Sequence, residues 1–344
     1  IKKDMEPSLL LPIGFGAIMV NLPLSGAVTQ IQDGIKEIGV LDVLFDAGIA
    51  NELFPLILFV GIGAMIDFTP LLTNPKLMIF GAAAQFGIFF TLCMATLLGF
   101  NLNDAASIAI IGAADGPTSI FVANFLKSDY IGAIIVVAYS YMALVPIVQP
   151  PVIKLMTSKK ERRIRMEPST KQVSKTTKIL FPIIITMVAG LVAPKSVSLI
   201  GFLMFGNLIR ECGVLNNLSE TAQKVLANLV TLFLGITVAT KMQAAQFLSL
   251  ETLMILALGL FAFVFDTVGG VLIAKLFNLF SKKKINPMIG AAGISAFPMS
   301  ARVVHKMGLE EDKQNFLLMH AAGVNVSGQI ASVIAGGLIL KLFG

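Results

Sequence analysis

Long apolar stretches, separated by short polar or basic segments, dominate the hydropathy pattern of this chain. A helix that spans a bilayer needs about 20 mostly apolar residues, and the pattern predicts roughly ten such windows. The continuous ones run from Leu9 to Pro23, Leu53 to Phe68, Leu77 to Phe100, Ile131 to Met156, Ile179 to Pro194, Val197 to Ile209, Val225 to Thr240, Leu253 to Phe280 and Phe316 to Phe343. The less apolar stretch from Ile31 to Ala50 is expected to lie at the interface. The pattern therefore predicts an all-α, multi-pass membrane protein.

Two further apolar segments are interrupted by glycine and proline, and both begin with Ile-Gly-Ala-Ala. The first broken segment runs from Ile111 to Ser119 and the second broken segment from Ile289 to Arg302. Because proline and glycine disturb helical hydrogen bonding, backbone carbonyls in these segments become available to a ligand. Paired interruptions in two halves of a membrane chain point to the ion site of a transporter.

The two halves of the chain resemble each other. Gly39-Val40-Leu41 matches Gly213-Val214-Leu215 at an offset of 174 residues, and the offset grows to 178 at the broken segments (289 − 111). The basic loop 158–178 is expected to be cytoplasmic under the positive-inside rule, which reverses the orientation of the second half. We therefore expect an inverted repeat: 1–157 is the first membrane repeat, 158–178 a cytoplasmic basic linker, and 179–344 the second repeat plus one extra helix. The two broken, re-entrant segments would then meet near the midplane.

The composition agrees with a membrane protein and narrows the class of function. Of the 344 residues, 56% are hydrophobic and only 13% are charged, whereas soluble domains carry about 25% charged residues. The net charge of +6 is concentrated in short loops, so we interpret it as a topology signal and expect no nucleic-acid partner. Cys93 and Cys212 are too few for a disulfide framework or a metal cage and are interpreted as core residues.

Asp115 is the main functional candidate, because a carboxylate near the bilayer centre is unfavourable unless it is paired, hydrated or coordinated. Gly116 and Pro117 free backbone carbonyls beside it, and Thr118 and Ser119 add hydroxyl oxygens. One carboxylate with several neutral oxygens favours a monovalent hard cation. The alternative is that Asp115 only caps the half-helix that follows the break.

The second broken segment offers neutral oxygens and a positive charge. Asn286 precedes it and Ser295 lies within it. Gly290 permits a close approach of the backbone, and Arg302 brings a fixed charge. If the repeat is inverted, Ser295 comes close to Asp115. Two alternatives stay open: helix packing accounts for Ser295, and Arg302 is a topology signal.

Other polar residues lie inside the predicted spans. Tyr139 and Tyr141 indicate a lined cavity, because tyrosines otherwise prefer the membrane interface. Asp266 is a second candidate carboxylate, ranked lower because its counterpart in the first half is apolar. Asn325 and Gln329 in the last span are attributed to hydrogen bonds between helices.

Several motifs resemble one family. They are Gly63-Ala64-Met65-Ile66-Asp67-Phe68, Gly81-Ala82-Ala83-Ala84-Gln85-Phe86-Gly87 and Ala113-Ala114-Asp115-Gly116-Pro117-Thr118. Together they closely resemble the beta subunit of biotin-dependent, sodium-pumping decarboxylases, which act on oxaloacetate, methylmalonyl-CoA, glutaconyl-CoA or malonate. The resemblance covers nearly the whole chain. It implies a translocase of the bacterial inner membrane that decarboxylates carboxybiotin, exports sodium and consumes a proton.

The resemblance also implies functional residues. Asp115, Tyr141 and Arg302 would be catalytic, with Tyr141 as a proton relay. Arg302 and Asn286 would bind the carboxybiotin. Taken together with the oxygen ligands described above, the expected sodium ligands are Asp115, Thr118, Asn286, Gly290 and Ser295.

The expected cofactors are a sodium ion and carboxybiotin carried by a partner. A biotin-attachment lysine lies between two methionines, and this sequence has no such triplet, since Thr240 precedes Lys241-Met242. The resemblance implies a biotin carrier protein or domain, a carboxyltransferase alpha subunit, a small membrane gamma or delta subunit, and a homo-oligomer in the membrane. The alternative hypothesis is a sodium-coupled secondary carboxylate transporter or a sodium/proton antiporter, which would use the same repeats and broken segments.

Overall fold

The computed structural model of the chain is largely helical, and it describes residues 7–23, 25–32, 35–167, 172–247 and 249–344. The α-helices, α1 to α18 in chain order, are Pro7–Asn21, Val40–Phe45, Leu53–Met65, Thr69–Thr73, Met78–Ala83, Phe86–Leu97, Leu102–Ala109, Gly116–Phe125, Ile131–Met156, Lys159–Arg162, Lys175–Val192, Val197–Glu211, Asn216–Glu220, Ala227–Val238, Ala244–Phe247, Leu250–Phe280, Met299–Glu311 and Leu318–Phe343. A small antiparallel hairpin of β1 (Gln30–Gln32) and β2 (Ile35–Glu37) precedes α2.

Short helical turns of other types connect several of these helices. The π-helical turns are Asp46–Ala50 and Thr221–Leu226, and the 3-10 turns are Pro75–Leu77, Ile110–Ala113, Pro194–Ser196, Ala239–Lys241 and Pro287–Gly293. The last part of the predicted linker, 175–178, belongs to α11, and residues 168–171 lie outside the described residues.

Six helical stretches among the described residues are long and apolar enough to cross a membrane. They are Pro75–Leu97, Ile131–Met156, Lys175–Val192, Asn216–Lys241, Leu250–Phe280 and Leu318–Phe343. A seventh results if Val40–Ala50 and Leu53–Met65, which meet at a 62° bend, form one span. Other predicted windows form shorter helices, such as α1 and α12 with 15 residues each. The prediction of an all-α, multi-pass membrane protein is confirmed.

Helix α16 holds the two broken segments together. It has 31 residues, is N-capped by Ser249, whose side chain accepts from the N–H of Thr252, and contains no proline that would bend it. It packs against α6, α9 and the 3-10 turns of both broken segments. Buried small residues on α16, including Gly269, Gly270 and Ala274, let other backbones approach closely. The position of the candidate site therefore depends on this one helix.

Candidate functional site

The first broken segment changes its backbone geometry three times within a few residues. Helix α7 passes into the 3-10 turn Ile110–Ala113, and Ala114 then adopts a left-handed φ of 52°. Asp115 is extended and forms the N-cap of α8. Pro117 lies in the first turn of α8, the one place in a helix where its missing N–H has no cost. The local sequence thus ends one helix and starts another at Asp115.

Asp115 is only 4% exposed and is surrounded by donors. Its Oδ2 accepts from Thr118 Oγ1 at 2.7 Å and from Ser332 Oγ at 3.1 Å. Its Oδ1 accepts from the Thr118 N–H at 3.4 Å. Asp115 therefore does cap α8, and it also contacts α18. Because each carboxylate oxygen can accept more than one partner and Oδ1 accepts from the Thr118 N–H, the cap leaves capacity for a cation.

The second broken segment contacts the first directly. It begins as the 3-10 turn Pro287–Gly293 and resumes as α17. Between the two, the Ser295 N–H donates to Ala113 O at 2.9 Å. The Ser295 hydroxyl donates to Gly328 O of α18 at 3.0 Å. The structure therefore places Ser295 against the first broken segment, two residues before its carboxylate.

A cavity of about 370 Å³ opens beside this contact. Asp115 lines it from the first broken segment, Ser295 and Arg302 from the second, and Gln329 from α18. Asp115 and Ser295 are buried, whereas Arg302 is exposed. The cavity thus combines a carboxylate in its buried part with a guanidinium on its accessible side, and can accept both a cation and an anion.

Two other predicted site residues contact the backbone of neighbouring segments. Asn286 donates to Arg162 O at 2.8 Å and to Ile164 O at 3.0 Å. Gly290 packs on α16 so closely that a Cβ atom would lie 2.1 Å from Gly270 O. Both residues anchor the first half of the second broken segment, and their contact with sodium stays a prediction.

The two tyrosines of α9 differ in their surroundings. The Tyr141 hydroxyl donates to Leu256 O of α16 at 2.7 Å. Tyr139 is 1% exposed, and its ring packs on Gly116, where a Cβ atom would lie 2.5 Å from it. The Tyr139 hydroxyl has no hydrogen-bond partner among the described residues. Tyr139 therefore borders the turn that follows Asp115, and the catalytic role of Tyr141 stays a prediction.

Helix α18 contributes polar residues whose part in the site is not evident from the sequence. The sequence predicts hydrogen bonds between helices for Asn325 and Gln329, and Ser332 is an ordinary serine in a membrane helix. Asn325 donates to Ile294 O at 2.7 Å, Gln329 donates to Ser295 O, and Ser332 donates to the buried carboxylate. Steps of four and three residues place these side chains on one face of a helix. That polar stripe in an apolar helix was the available signal.

Asp266, the second candidate carboxylate, lies on α16 and is fully buried. It accepts a hydrogen bond from the N–H of Gly87 in the first turn of α6. The span Pro75–Leu97 is interrupted between α5 and α6, so the freed N–H groups need an acceptor in the membrane. Asp266 thus has a structural role as a cap supplied by a neighbouring helix.

The basic linker is bound to the end of α17. Arg162 pairs with Glu311 and Arg165 pairs with Asp312, each with an N–O distance of 2.6 Å. The hydrogen bonds from these guanidinium groups lower the pKa of Glu311 and of Asp312 below their ordinary values. The linker is therefore bound to the helix that carries Arg302.

Comparison with known proteins identifies relatives along the full chain. The family model of the Na⁺-transporting oxaloacetate decarboxylase beta subunit matches residues 1–343. Methylmalonyl-CoA decarboxylase subunit beta of Veillonella parvula is 50% identical over 340 residues, covering 99% of this chain and 88% of that protein. Its counterpart in Propionigenium modestum is 48% identical over 362 residues, covering 100% of this chain and 91% of that protein. Oxaloacetate decarboxylase beta chain 2 of Salmonella typhimurium is 46% identical over 395 aligned residues, covering 99% of this chain and 91% of that protein.

These matches confirm the resemblance stated from the motifs. They favour a decarboxylase-coupled sodium translocase over the alternative of a secondary transporter. The chain therefore belongs to the beta-subunit family of the Na⁺-transporting oxaloacetate decarboxylases, the membrane subunits of bacterial sodium-pumping decarboxylases.

Proposed function

We propose that this chain decarboxylates carboxybiotin brought by a partner and couples that reaction to sodium export, with consumption of a proton. The observation that carries the proposal is the cavity of about 370 Å³ shared by Asp115, Ser295 and Arg302. A carboxylate suits the exported cation, and a guanidinium suits the anionic carboxybiotin. Two ligands of opposite charge in one cavity give a direct route for coupling the chemistry to transport.

Asp115 supplies the negative charge of the proposed sodium site. Thr118 and Ser332 place hydroxyl oxygens on its carboxylate, and Ser295 lines the same cavity. A small hard cation prefers such oxygen ligands. Asn286 and Gly290, predicted as further ligands, also contribute by fixing the backbone that carries Ser295.

Arg302 is the proposed ligand of the carboxybiotin carboxylate, because a guanidinium donates paired hydrogen bonds to a carboxylate. Asn286 is the second proposed binding residue and lies near the linker. When carbon dioxide leaves, the biotin nitrogen requires a proton. Tyr141 is the proposed relay for that proton.

The open side of the cavity indicates the direction of access. Met65 at the end of α3, Asn228 at the start of α14 and Ser8 at the start of α1 line it. With the 158–178 linker in the cytoplasm, all these helix ends are cytoplasmic, so this conformation is open to the inside. Export against a membrane potential costs about 2.3 kcal/mol per charge per 100 mV. Coupling requires that sodium and carboxybiotin favour different access states.

Helix packing supports the inverted repeat with halves 1–157 and 179–344. Helix α1 of the first half packs on α14 of the second, and α12 of the second packs on α3 of the first. A π-helical turn precedes both α3 and α14. Helices α9 and α18 each have 26 residues. In this arrangement α11 is the extra helix, and the broken segments meet near the midplane as re-entrant elements.

The proposed partners follow from the family. A biotin carrier and a carboxyltransferase alpha subunit supply the carboxybiotin, a small gamma or delta subunit joins the chain in the membrane, and copies of the chain form a homo-oligomer. The three relatives named above are beta subunits or beta chains by name, which supports an assembly of several subunits.

The proposal is tested by Asp115→Asn in the assembled decarboxylase, reconstituted in vesicles. Loss of the negative charge should abolish both sodium stimulation of decarboxylation and sodium uptake into the vesicles. Asp266→Asn is the matched control, because it makes the same change at another buried carboxylate. The side-chain oxygen of the asparagine still accepts a hydrogen bond from the Gly87 N–H. Normal sodium stimulation in Asp115→Asn, or equal loss in both variants, would refute the assignment.

A further inference from the structure

Four buried amide side chains surround the second broken segment. They come from three separate parts of the chain and are each 3% exposed or less: Gln85, Gln149, Asn325 and Gln329. We call them the amide cluster. Gln329 lines the cavity that contains Asp115, whereas Asn325 on α18, Gln85 between α5 and α6 and Gln149 on α9 do not.

Each member of the amide cluster donates an N–H to a backbone carbonyl between residues 291 and 295. Gln149 donates to Ala291 O at 2.6 Å. Gln85 donates to Gly293 O at 3.4 Å and also to Gly81 O at 3.0 Å. The two amides of α18 donate to the next carbonyls, those of Ile294 and Ser295. The carbonyls left without helical partners at the break are thus satisfied by side chains from neighbouring helices.

The oxygen atoms of the same four amides have no hydrogen-bond partner among the described residues. An unpaired buried acceptor is unfavourable, because it gives up its hydrogen bond to water. Apolar packing would avoid that cost, so the advantage of an amide at these positions lies in its N–H donor. That donor acts on the stretch of backbone that ends in the contact between Ser295 and Ala113.

We propose that Gln149 and Gln85 are positioning residues for the sodium site. By holding Ala291 O and Gly293 O they fix the irregular backbone on which Ser295 meets the first broken segment. They touch neither ion nor substrate and act through Ser295. This inference rests on the proposed function, because it takes the site around Asp115 to be the sodium site.

The test is Gln149→Met, which keeps the length of the side chain and removes its donor. Sodium-stimulated decarboxylation is measured in the assembled enzyme over a range of sodium concentrations. The sodium concentration for half-maximal stimulation should rise about tenfold, the effect of losing one hydrogen bond that shapes the site. The maximal rate should stay within about twofold, because no reacting group is removed. In parallel, hydrogen–deuterium exchange over 287–298 should be faster than in the unaltered protein.

Asn207→Leu is the matched control. Asn207 is also 1% exposed, donates to Ile66 O at 2.9 Å and leaves its oxygen without a partner, but it lies on α12 at the end of α3. The Asn207→Leu variant should show unchanged sodium dependence and unchanged hydrogen–deuterium exchange over 287–298. An equal shift in both variants would show general loosening and overturn the inference.

Two further arms keep the test decisive. If Gln149→Met does not fold, Gln85→Met replaces it, with a smaller shift expected because its bond to Gly293 O is longer. If the glutamine variant keeps an unchanged sodium dependence while Asp115→Asn loses sodium stimulation, the inference is overturned. The proposed function stands in that case. Stimulation that survives in Asp115→Asn overturns the proposed function instead, and the exchange experiment still decides whether the amides hold the segment.

Discussion

The two broken segments begin with the same four residues but are stabilised in different ways. The first is held mainly by its own residues: Asp115 caps α8, and Thr118 in the first turn of α8 donates to the carboxylate, with one further side-chain donor, Ser332, from α18. The second has no carboxylate between Ile289 and Arg302, and its backbone carbonyls accept from amides elsewhere in the chain as well as from the Ser300 hydroxyl. The first segment thus provides the charge of the site, and the second provides a backbone of defined shape.

This difference shows how a duplicated element can diverge in a membrane. Both interruptions expose backbone groups that lipid cannot satisfy. A local cap serves this need in the first segment, and a set of neighbouring amides serves it in the second. The function of the second segment should therefore depend largely on distant residues, whereas that of the first should depend mainly on residues within one helical turn, with Ser332 of α18 as a distant contact.

The largest effect on stability is expected when a methyl group is added to the glycine at the start of each broken segment, because the two glycines are packed differently. Gly290→Ala places a methyl group 2.1 Å from the backbone oxygen of Gly270, whereas Gly112→Ala meets side-chain atoms, Asp266 Oδ2 at 2.9 Å and Ala262 Cβ at 3.0 Å. We expect losses of about 3 kcal/mol for Gly290→Ala and about 1 kcal/mol for Gly112→Ala. Melting temperatures of the purified variants in detergent measure this. Equal losses of stability in the two variants would contradict the tighter packing of the second broken segment.

An intermediate effect is expected inside the first segment. Thr118→Val keeps the shape of the side chain but removes the hydroxyl that donates to Asp115 Oδ2 at 2.7 Å. The sodium concentration for half-maximal stimulation should rise about tenfold, since a proposed oxygen ligand and its hydrogen bond to the charged carboxylate are lost. Ser119→Ala is the control, because its hydroxyl donates only to the backbone oxygen of Asp115. A larger effect of Ser119→Ala would show that the charge is not organised locally.

The smallest effect is expected where the linker meets α17. Asp312→Asn removes an exposed ion pair with Arg165, and the melting temperature at physiological salt should not change measurably. Because this pair lowers the pKa of Asp312, it stabilises the fold above the ordinary carboxyl pKa of about 3.9 and loses that effect as the pH falls further. Any difference between the variant and the unaltered protein should therefore vanish in acid.

Glu311→Gln is the matched comparison for Asp312→Asn. Its partner Arg162 has a side chain only 8% exposed. Removing the charge of Glu311 leaves that buried guanidinium without its carboxylate, which destabilises the fold more than the loss of an exposed pair does. The melting temperature should fall clearly. If both variants behave alike, the burial of Arg162 is not what holds the linker to α17.

Much of the architecture could be predicted from apolar length alone. The window from Ile131 to Met156 coincides with α9, and Phe316 to Phe343 differs from α18 by two residues. Such windows are reliable because a helix in lipid must satisfy its own backbone. The hairpin of β1 and β2 lies in the less apolar stretch, where no strong period marks the structure.

The candidate site was only partly accessible from the sequence. Asp115 stands out by itself, since an isolated carboxylate in an apolar segment is costly wherever the chain folds. Ser332 does not, because a serine in a membrane helix is ordinary, and only the packing of α18 on the first broken segment brings it to Asp115. The contrast between Tyr139 and Tyr141 likewise depends on which side of α9 faces the break.

The sequence by itself determined where the membrane helices lie, where two of the segments break and which residue carries a buried charge, because these follow from the cost of exposing polar groups to lipid. Only the tertiary structure decided which side chains satisfy the second break and that Ser295 meets Ala113. Those contacts join residues 31 to 208 positions apart, and their pairing depends on how helices pack around α16. No local pattern specifies that packing, since it arises from the fit of several surfaces at once.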